Sequence, residues 1–256
     1  MSGKRLVIMV ALGAAIGVGA ARAGTPFGGD DSGFVPPDKT TGKCEDTATK
    51  NGGKFTSSLI KCHIAVATAA FKSQTTVADD EACEDTARAA VDKANSKLTN
   101  PPCPACLVSG LGAGSDTTRS QVDLNGGVVY CAGTSPLTDG DDPGALIPPT
   151  KNDLVCETKM AKNASKFISC ILKCHIKAAD AAVAAKSFDE EGCEETNATH
   201  NACGDKYDLA VSVLPSFCPG QCAQVNAAGL KSLILSIVDA RNGEAYCQSP
   251  SGAFLQ

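Results

Sequence analysis

The chain has 256 residues, fourteen of them cysteine, only 4 % aromatic and none tryptophan, with a formal net charge of −5. Alanine and other small residues bury little apolar area each, so a core made of them needs the crosslinks usual in exported domains. The acidic balance, without any basic cluster interleaved with aromatics, argues against a nucleic-acid partner.

In chain order, residues 1–23 read as a signal peptide. Lys4 and Arg5 precede the apolar run Leu6 to Gly19, and Ala21-Arg22-Ala23 fits the small-x-small cleavage rule. Cleavage near Ala23 removes three basic residues and no acidic one, so the mature chain is more acidic still. The run is short for a spanning helix, and no other stretch is long and apolar enough, so no transmembrane segment is expected in the mature chain. The predicted location is secreted or periplasmic.

The rest of the chain repeats itself. Gly29-Asp30-Asp31-Ser32-Gly33 and Val35-Pro36-Pro37 recur as Gly140-Asp141-Asp142-Pro143-Gly144 and Ile147-Pro148-Pro149. Cys44-Glu45 recurs as Cys156-Glu157, Lys61-Cys62-His63-Ile64 as Lys173-Cys174-His175-Ile176, and Cys83-Glu84 as Cys193-Glu194. Cys103-Pro104 matches Cys218-Pro219. Val122-Asp123, Gly127 and Tyr130-Cys131 match Val238-Asp239, Gly243 and Tyr246-Cys247. The layout predicted is an extended lead-in (24–43), a cysteine-rich helical module (44–134), a Pro/Gly/Asp linker (135–153) that sets the reach between copies, and a second module (154–250).

Within each module a long helix comes first. Cys44, Ala48, Asn51, Phe55, Leu59, Cys62 and Val66 step by three or four, as do Cys156, Met160, Asn163, Phe167, Ile171, Cys174 and Ala178. Cysteines five turns apart on one helix stand about 27 Å apart and cannot bond to each other. A second helix is expected from about Asp80 to Lys97, stopped by Pro101-Pro102, and from about Glu190 to Leu214, stopped by Pro215. A third is expected from Val225 to Ala240, with a weaker Gly-rich counterpart from Leu111 to Leu124. The fold class predicted is all-α: two tandem disulfide-stapled helical hairpins, each with a third helical segment.

Facing residues of an antiparallel hairpin have a nearly constant sum of sequence positions. That favours Cys44–Cys103 and Cys62–Cys83, leaving Cys106 for Cys131. In the second copy it favours Cys156–Cys218 and Cys170–Cys203, the latter two being Ser58 and Lys93 in the first copy. Cys174–Cys193 fits less closely, and Cys222 is left for Cys247. All fourteen cysteines are then bridged, each bridge worth roughly 2–4 kcal/mol.

Cys103-Pro104-Ala105-Cys106 has thiol-redox spacing, but the second copy inserts a residue (Cys218-Pro219-Gly220-Gln221-Cys222) and no thioredoxin-like pattern flanks either. No Cys-x-x-Cys-His haem site exists. His63 and His175 each follow a cysteine, and adjacent helical residues point about 100° apart, so Cys and His would not grip one metal easily. A zinc set of Cys170, Cys174 and His175 competes with disulfides in an oxidising compartment. Asp30-Asp31 and Asp141-Asp142 read as solvated linker acids, since no distal glutamate completes a calcium loop. His200 stands alone, and no nucleophile elbow, zincin motif or phosphate loop occurs. No catalytic, cofactor or metal residue is therefore assigned.

The run Gly33 to Lys39, the two Lys-Cys-His-Ile tetrapeptides and Phe188-Asp189-Glu190-Glu191-Gly192-Cys193-Glu194 resemble a family of secreted, cysteine-rich, alanine- and lysine-rich proteins of environmental bacteria. The resemblance implies export and a helical fold, and carries over no site residue. The expected role is an exported structural or binding scaffold whose partner is an extracytoplasmic protein or surface component. The alternative is a thiol-redox or metal-binding protein of the same compartment.

Overall fold

A computed structural model describes residues 25–73, 80–138 and 142–247. The signal-peptide expectation lies outside the described residues. The chain opens with an antiparallel hairpin, β1 (Pro26–Gly28) and β2 (Asp31–Phe34). Helices follow: α1 (Lys39–Ser73), α2 (Glu81–Asn95), α3 (Ala105–Leu124), α4 (Gly126–Val129), α5 (Lys151–Val183), α6 (Glu191–Glu194), α7 (Cys203–Ser212), α8 (Cys222–Val225) and α9 (Ala227–Ala240), with a closing 3-10 turn at Asn242–Glu244. Apart from the small hairpin the fold is all-α. No helix among the described residues is long and apolar enough to cross a membrane.

Local chemistry sets the helix ends. Asp38 starts α1 by accepting from the backbone N–H of Thr40 and Thr41 at 2.7 and 2.9 Å, and Thr150 caps α5 by accepting from Asp153 N at 3.2 Å. Those backbone bonds also hold the Asp38 carboxyl below its ordinary range. The stripe of α5 is buried at Cys156, Met160, Phe167, Ile171 and Cys174, as its spacing requires. Helix α3 begins at Ala105 and runs without a break through its glycines, so this segment is longer than the sequence suggests. The helix expected from Glu190 to Leu214 is instead split into α6 and α7. Asn197 Oδ1 accepts from the N–H groups of Thr199 and Asn201, and Asp205 Oδ2 from those of Asn197 and Ala202. These side chains offer the backbone an alternative to helix.

The two long helices pack against each other over small residues. Ser57 and Ser169, equivalent in the duplication, meet at 3.5 Å between hydroxyl oxygens, and Ser165 donates to Ser57 at 3.1 Å. A Cβ added at Gly53 would come within 2.8 Å of Leu172 Cδ1, so glycine permits this close approach. Equivalent residues meeting at one point place a local two-fold relation there. The largest apolar cluster surrounds Phe167, Ile171, Tyr207, Leu230 and Ile234, and it also takes in Val66, Ala67 and Ala70 from α1.

All fourteen cysteines are bridged. Cys44–Cys103, Cys62–Cys83, Cys156–Cys218 and Cys170–Cys203 join as their spacing predicts, and Cys174–Cys193 joins although it fits the spacing less closely. The remaining four are exchanged between copies: Cys106 bonds Cys247, and Cys131 bonds Cys222. This corrects the expected Cys106–Cys131 and Cys222–Cys247 pairs. The physical reason is that the tail of each copy lies across the other copy, not back along its own hairpin.

The described parts of the expected linker, 135–138 and 142–153, are packed against the copies and do not read as a free spacer. Leu137, Thr138, Asp142 and Ala145 are buried, and Pro136 pairs with Leu146. Leu146 N donates to Tyr130 O at 2.7 Å, while Phe34 N donates to the equivalent Tyr246 O at 2.8 Å. Each lead-in thus closes a tail: the second lead-in on the first copy, the first on the second. At Gly33 (φ +98°) a Cβ would fall 2.4 Å from Tyr246 O, so only glycine suits this turn.

Candidate functional site

The exchange of lead-ins carries one acid into each half of the molecule. Asp142 arrives beside His63, and Asp31, brought by β2, arrives beside His175. Around His63 Nε2 stand four carboxylate oxygens: Glu84 Oε1 at 3.0 Å, Asp142 Oδ1 at 3.4 Å, and Asp80 Oδ2 and Asp123 Oδ1 at 3.6 Å each. Around His175 Nε2 stand Glu194 Oε1 at 2.9 Å, Asp31 Oδ1 at 3.0 Å, Glu190 Oε1 at 3.4 Å and Asp239 Oδ1 at 3.6 Å. Every member of the first set occupies the repeat position of a member of the second: His63 and His175, Asp80 and Glu190, Glu84 and Glu194, Asp123 and Asp239, Asp142 and Asp31.

Several elements hold each set. The histidines sit on α1 and α5, directly after Cys62 and Cys174. Those cysteines bond Cys83 and Cys193, each directly before a glutamate of the set. One disulfide thereby fixes the histidine against Glu84 or Glu194. Asp80 and Glu190 lie four residues earlier, at the N-caps of α2 and α6, on the same helical face. Asp123 and Asp239 lie in the last turns of α3 and α9, where the helix dipole disfavours a carboxylate.

None of these ten side chains is more than 14 % exposed, and Asp31 and Asp142 are each 1 % exposed. A single imidazole N–H can serve one acceptor well, not four. Accordingly neither oxygen of Asp31 or of Asp142 makes an aligned hydrogen bond, and the same holds for Asp123 Oδ1, Glu190 Oε1, Glu194 Oε1 and Asp239 Oδ1. Burying ionised carboxylates without partners is costly, so the groups shift their titration instead. Burial pushes Asp142 up to about 8, Glu190 up to about 11 and Asp239 up to about 6. Burial works against a charged imidazole, yet the nearby Asp123 carboxylate and the bond to Glu84 override it and hold His63 up at about 10. At His175 the nearby carboxylates of Asp239, Asp31 and Glu194 do the same by their charge, raising it to about 12.

The geometry suits a cation. Octahedral donors about 2.1–2.3 Å from a metal stand roughly 3.0–3.3 Å from their cis neighbours. The four oxygens lie close to that distance from each imidazole nitrogen. Each set divides into two overlapping trios that share the histidine: His63, Glu84, Asp123 with His63, Asp80, Asp142, and His175, Glu194, Asp239 with Asp31, His175, Glu190. A further trio, Cys131, Glu157 and Cys222, offers no thiolate because its two sulfurs are bonded to each other.

The centres are closed. A cavity of about 240 Å³ between the repeats is lined mainly by apolar side chains such as Phe55, Ile60, Val129, Ile168 and Ile234. The His63 ring borders it, but none of the four carboxylates does. Closed centres are the mark of structural sites, whereas catalytic ones keep an open position.

Other residues singled out in the sequence fall elsewhere. Cys103 and Cys106 bond Cys44 and Cys247, not each other. Cys170, Cys174 and His175 make no zinc set, since both sulfurs are in disulfides. His200 is exposed, 3.7 Å from Asp205, and far from any cluster. Spacing alone missed both centres because it paired the histidines only with neighbouring cysteines and read Asp31 and Asp142 as solvated linker acids, whereas both are buried beside a histidine. The available signal was the set of acids that recur in both copies. No protein-family model, curated protein or solved structure matches the chain.

Proposed function

We propose that the protein is an extracytoplasmic, disulfide-stabilised scaffold that holds two metal cations, one at the His63 centre and one at the His175 centre. The observation that carries this reading is the duplicated set of one histidine with four largely buried carboxylates within 3.6 Å of its Nε2, grouped as two trios that share the histidine. One imidazole with carboxylate oxygens suits a first-row cation of mixed nitrogen and oxygen preference, manganese or iron, over a soft thiolate-seeking ion. A bound cation would take the charge that the carboxylates cannot share among themselves. It would also tie the lead-in of one copy to the helices of the other. The likeness to secreted alanine- and lysine-rich proteins belongs to this proposal, as does export itself. Every cysteine is bridged, so a thiol-redox role would have to start from one of the disulfides.

Equilibrium dialysis of the chelator-stripped mature chain against Mn²⁺ tests the reading. Two equivalents per chain are expected, with one lost in His63→Ala and one in His175→Ala. Binding that is absent, or unchanged in both variants, overturns it.

A further inference from the structure

The two centres match in ligands but not in surroundings. Arg119, on α3 one turn before Asp123, donates from Nε to Glu84 Oε2 at 2.7 Å. Its other nitrogens reach Asp85 at 3.0 Å and Glu81. One guanidinium thus spans a metal-centre glutamate and the two acids flanking it. The equivalent acids of the second copy are Glu194, Glu195 and Glu191. The residue equivalent to Arg119 is Leu235, on α9 one turn before Asp239. Among the described residues no lysine or arginine pairs with Glu191, Glu194 or Glu195; Lys231 and Arg241 go to Asp208 and Glu244.

We propose that the second centre takes a cation of higher charge than the first, and that Arg119 is the residue that sets this difference. The inference rests on the metal reading above. Four carboxylates around a divalent ion leave two negative charges uncompensated in a buried place. Arg119, shared by Glu84, Glu81 and Asp85, makes the surroundings of the His63 centre one charge more positive than those of the His175 centre with Glu194, Glu191 and Glu195. At the His175 centre a trivalent ion makes up that difference. The first centre is therefore matched to a divalent cation, and the second to a trivalent one such as oxidised iron. A fixed positive charge close to the site penalises a trivalent ion more than a divalent one, so Arg119 acts on selectivity and not only on affinity.

Titration of the stripped full mature chain with Mn²⁺ and with Tb³⁺, a redox-inert trivalent probe read by its luminescence, tests this. His63→Ala and His175→Ala assign each binding step to a centre. The ratio of Tb³⁺ to Mn²⁺ affinity is expected to be at least roughly tenfold larger at the His175 centre. Arg119→Gln should raise the ratio at the His63 centre toward that of the other, while Arg119→Lys, which keeps the charge, should preserve the parent value. The Arg119 side chain is partly exposed and glutamine can still donate to Glu84, so the Gln variant is expected to fold, and an unchanged circular dichroism spectrum would confirm it. Two centres with equal ratios, or a His63 centre indifferent to Arg119→Gln, would overturn this inference and leave the metal reading standing. Binding of neither ion at either centre would overturn both.

Discussion

Removing the Cys106–Cys247 bridge, as Cys106→Ser with Cys247→Ser, tests the exchanged architecture. The two cysteines are 141 residues apart. The loop relevant to the unfolded chain is shorter, because Cys131–Cys222 provides a shortcut. The path from Cys106 to Cys131, across that bridge and on to Cys247 is about fifty residues, for which loop-closure entropy gives about 4 kcal/mol. For a chain of this size that is roughly 8–16 °C in melting temperature. Thermal melting followed by far-ultraviolet circular dichroism reads the loss. Removing Cys131–Cys222 instead should cost slightly less, about 3.6 kcal/mol, because Cys156–Cys218 shortens its path to about 29 residues. A variant that melts with the parent would refute the reasoning, as would an unreduced peptide map that joins Cys106 to Cys131.

Three other outcomes follow from single side chains. Burial pushes the Glu157 carboxyl up to about 8, against backbone donors at Cys131 and Ala132. A carboxyl raised on folding stabilises the native state at low pH and loses that contribution as pH climbs through the folded value. The parent should therefore lose stability relative to Glu157→Gln between about pH 5 and pH 9, read from denaturant midpoints; a constant gap would refute this. Gly52→Ala should stabilise α1 by up to about 1 kcal/mol, since a Cβ there meets nothing within 4 Å; a lowered melting temperature would contradict it. Phe167→Ala should cost about 3–5 kcal/mol in denaturant unfolding, because this buried ring packs 5.0 Å from Tyr207 in the main cluster.

The helical stripes of α1 and α5 were legible because an apolar period of 3.6 survives any tertiary arrangement. Four of the five bridges within the hairpins were legible for a related reason: facing positions in an antiparallel pair obey a simple rule, from which Cys174–Cys193 departs. Cys106, Cys131, Cys222 and Cys247 lie outside the hairpins, where that rule says nothing, and their partners depend on how the copies dock. The same docking hid the two centres. Asp31 and Asp142 sit in Gly-Asp-Asp stretches that read as solvated linkers, and only the exchange of lead-ins buries them beside His175 and His63. What the sequence did display was recurrence: Asp123 and Asp239 after valine, Glu84 and Glu194 after cysteine, and an aspartate pair before each Pro-Pro. Acids kept in both copies of a duplication at buried positions mark a site more surely than the histidines alone.

The most direct test is a diffraction experiment on the purified protein crystallised with Mn²⁺, with data collected on both sides of the manganese absorption edge. Two anomalous peaks per chain are predicted, each about 2.1–2.3 Å from an imidazole Nε2, one at His63 and one at His175. A map with no peak at either histidine, at full manganese occupancy elsewhere in the crystal, would contradict the account.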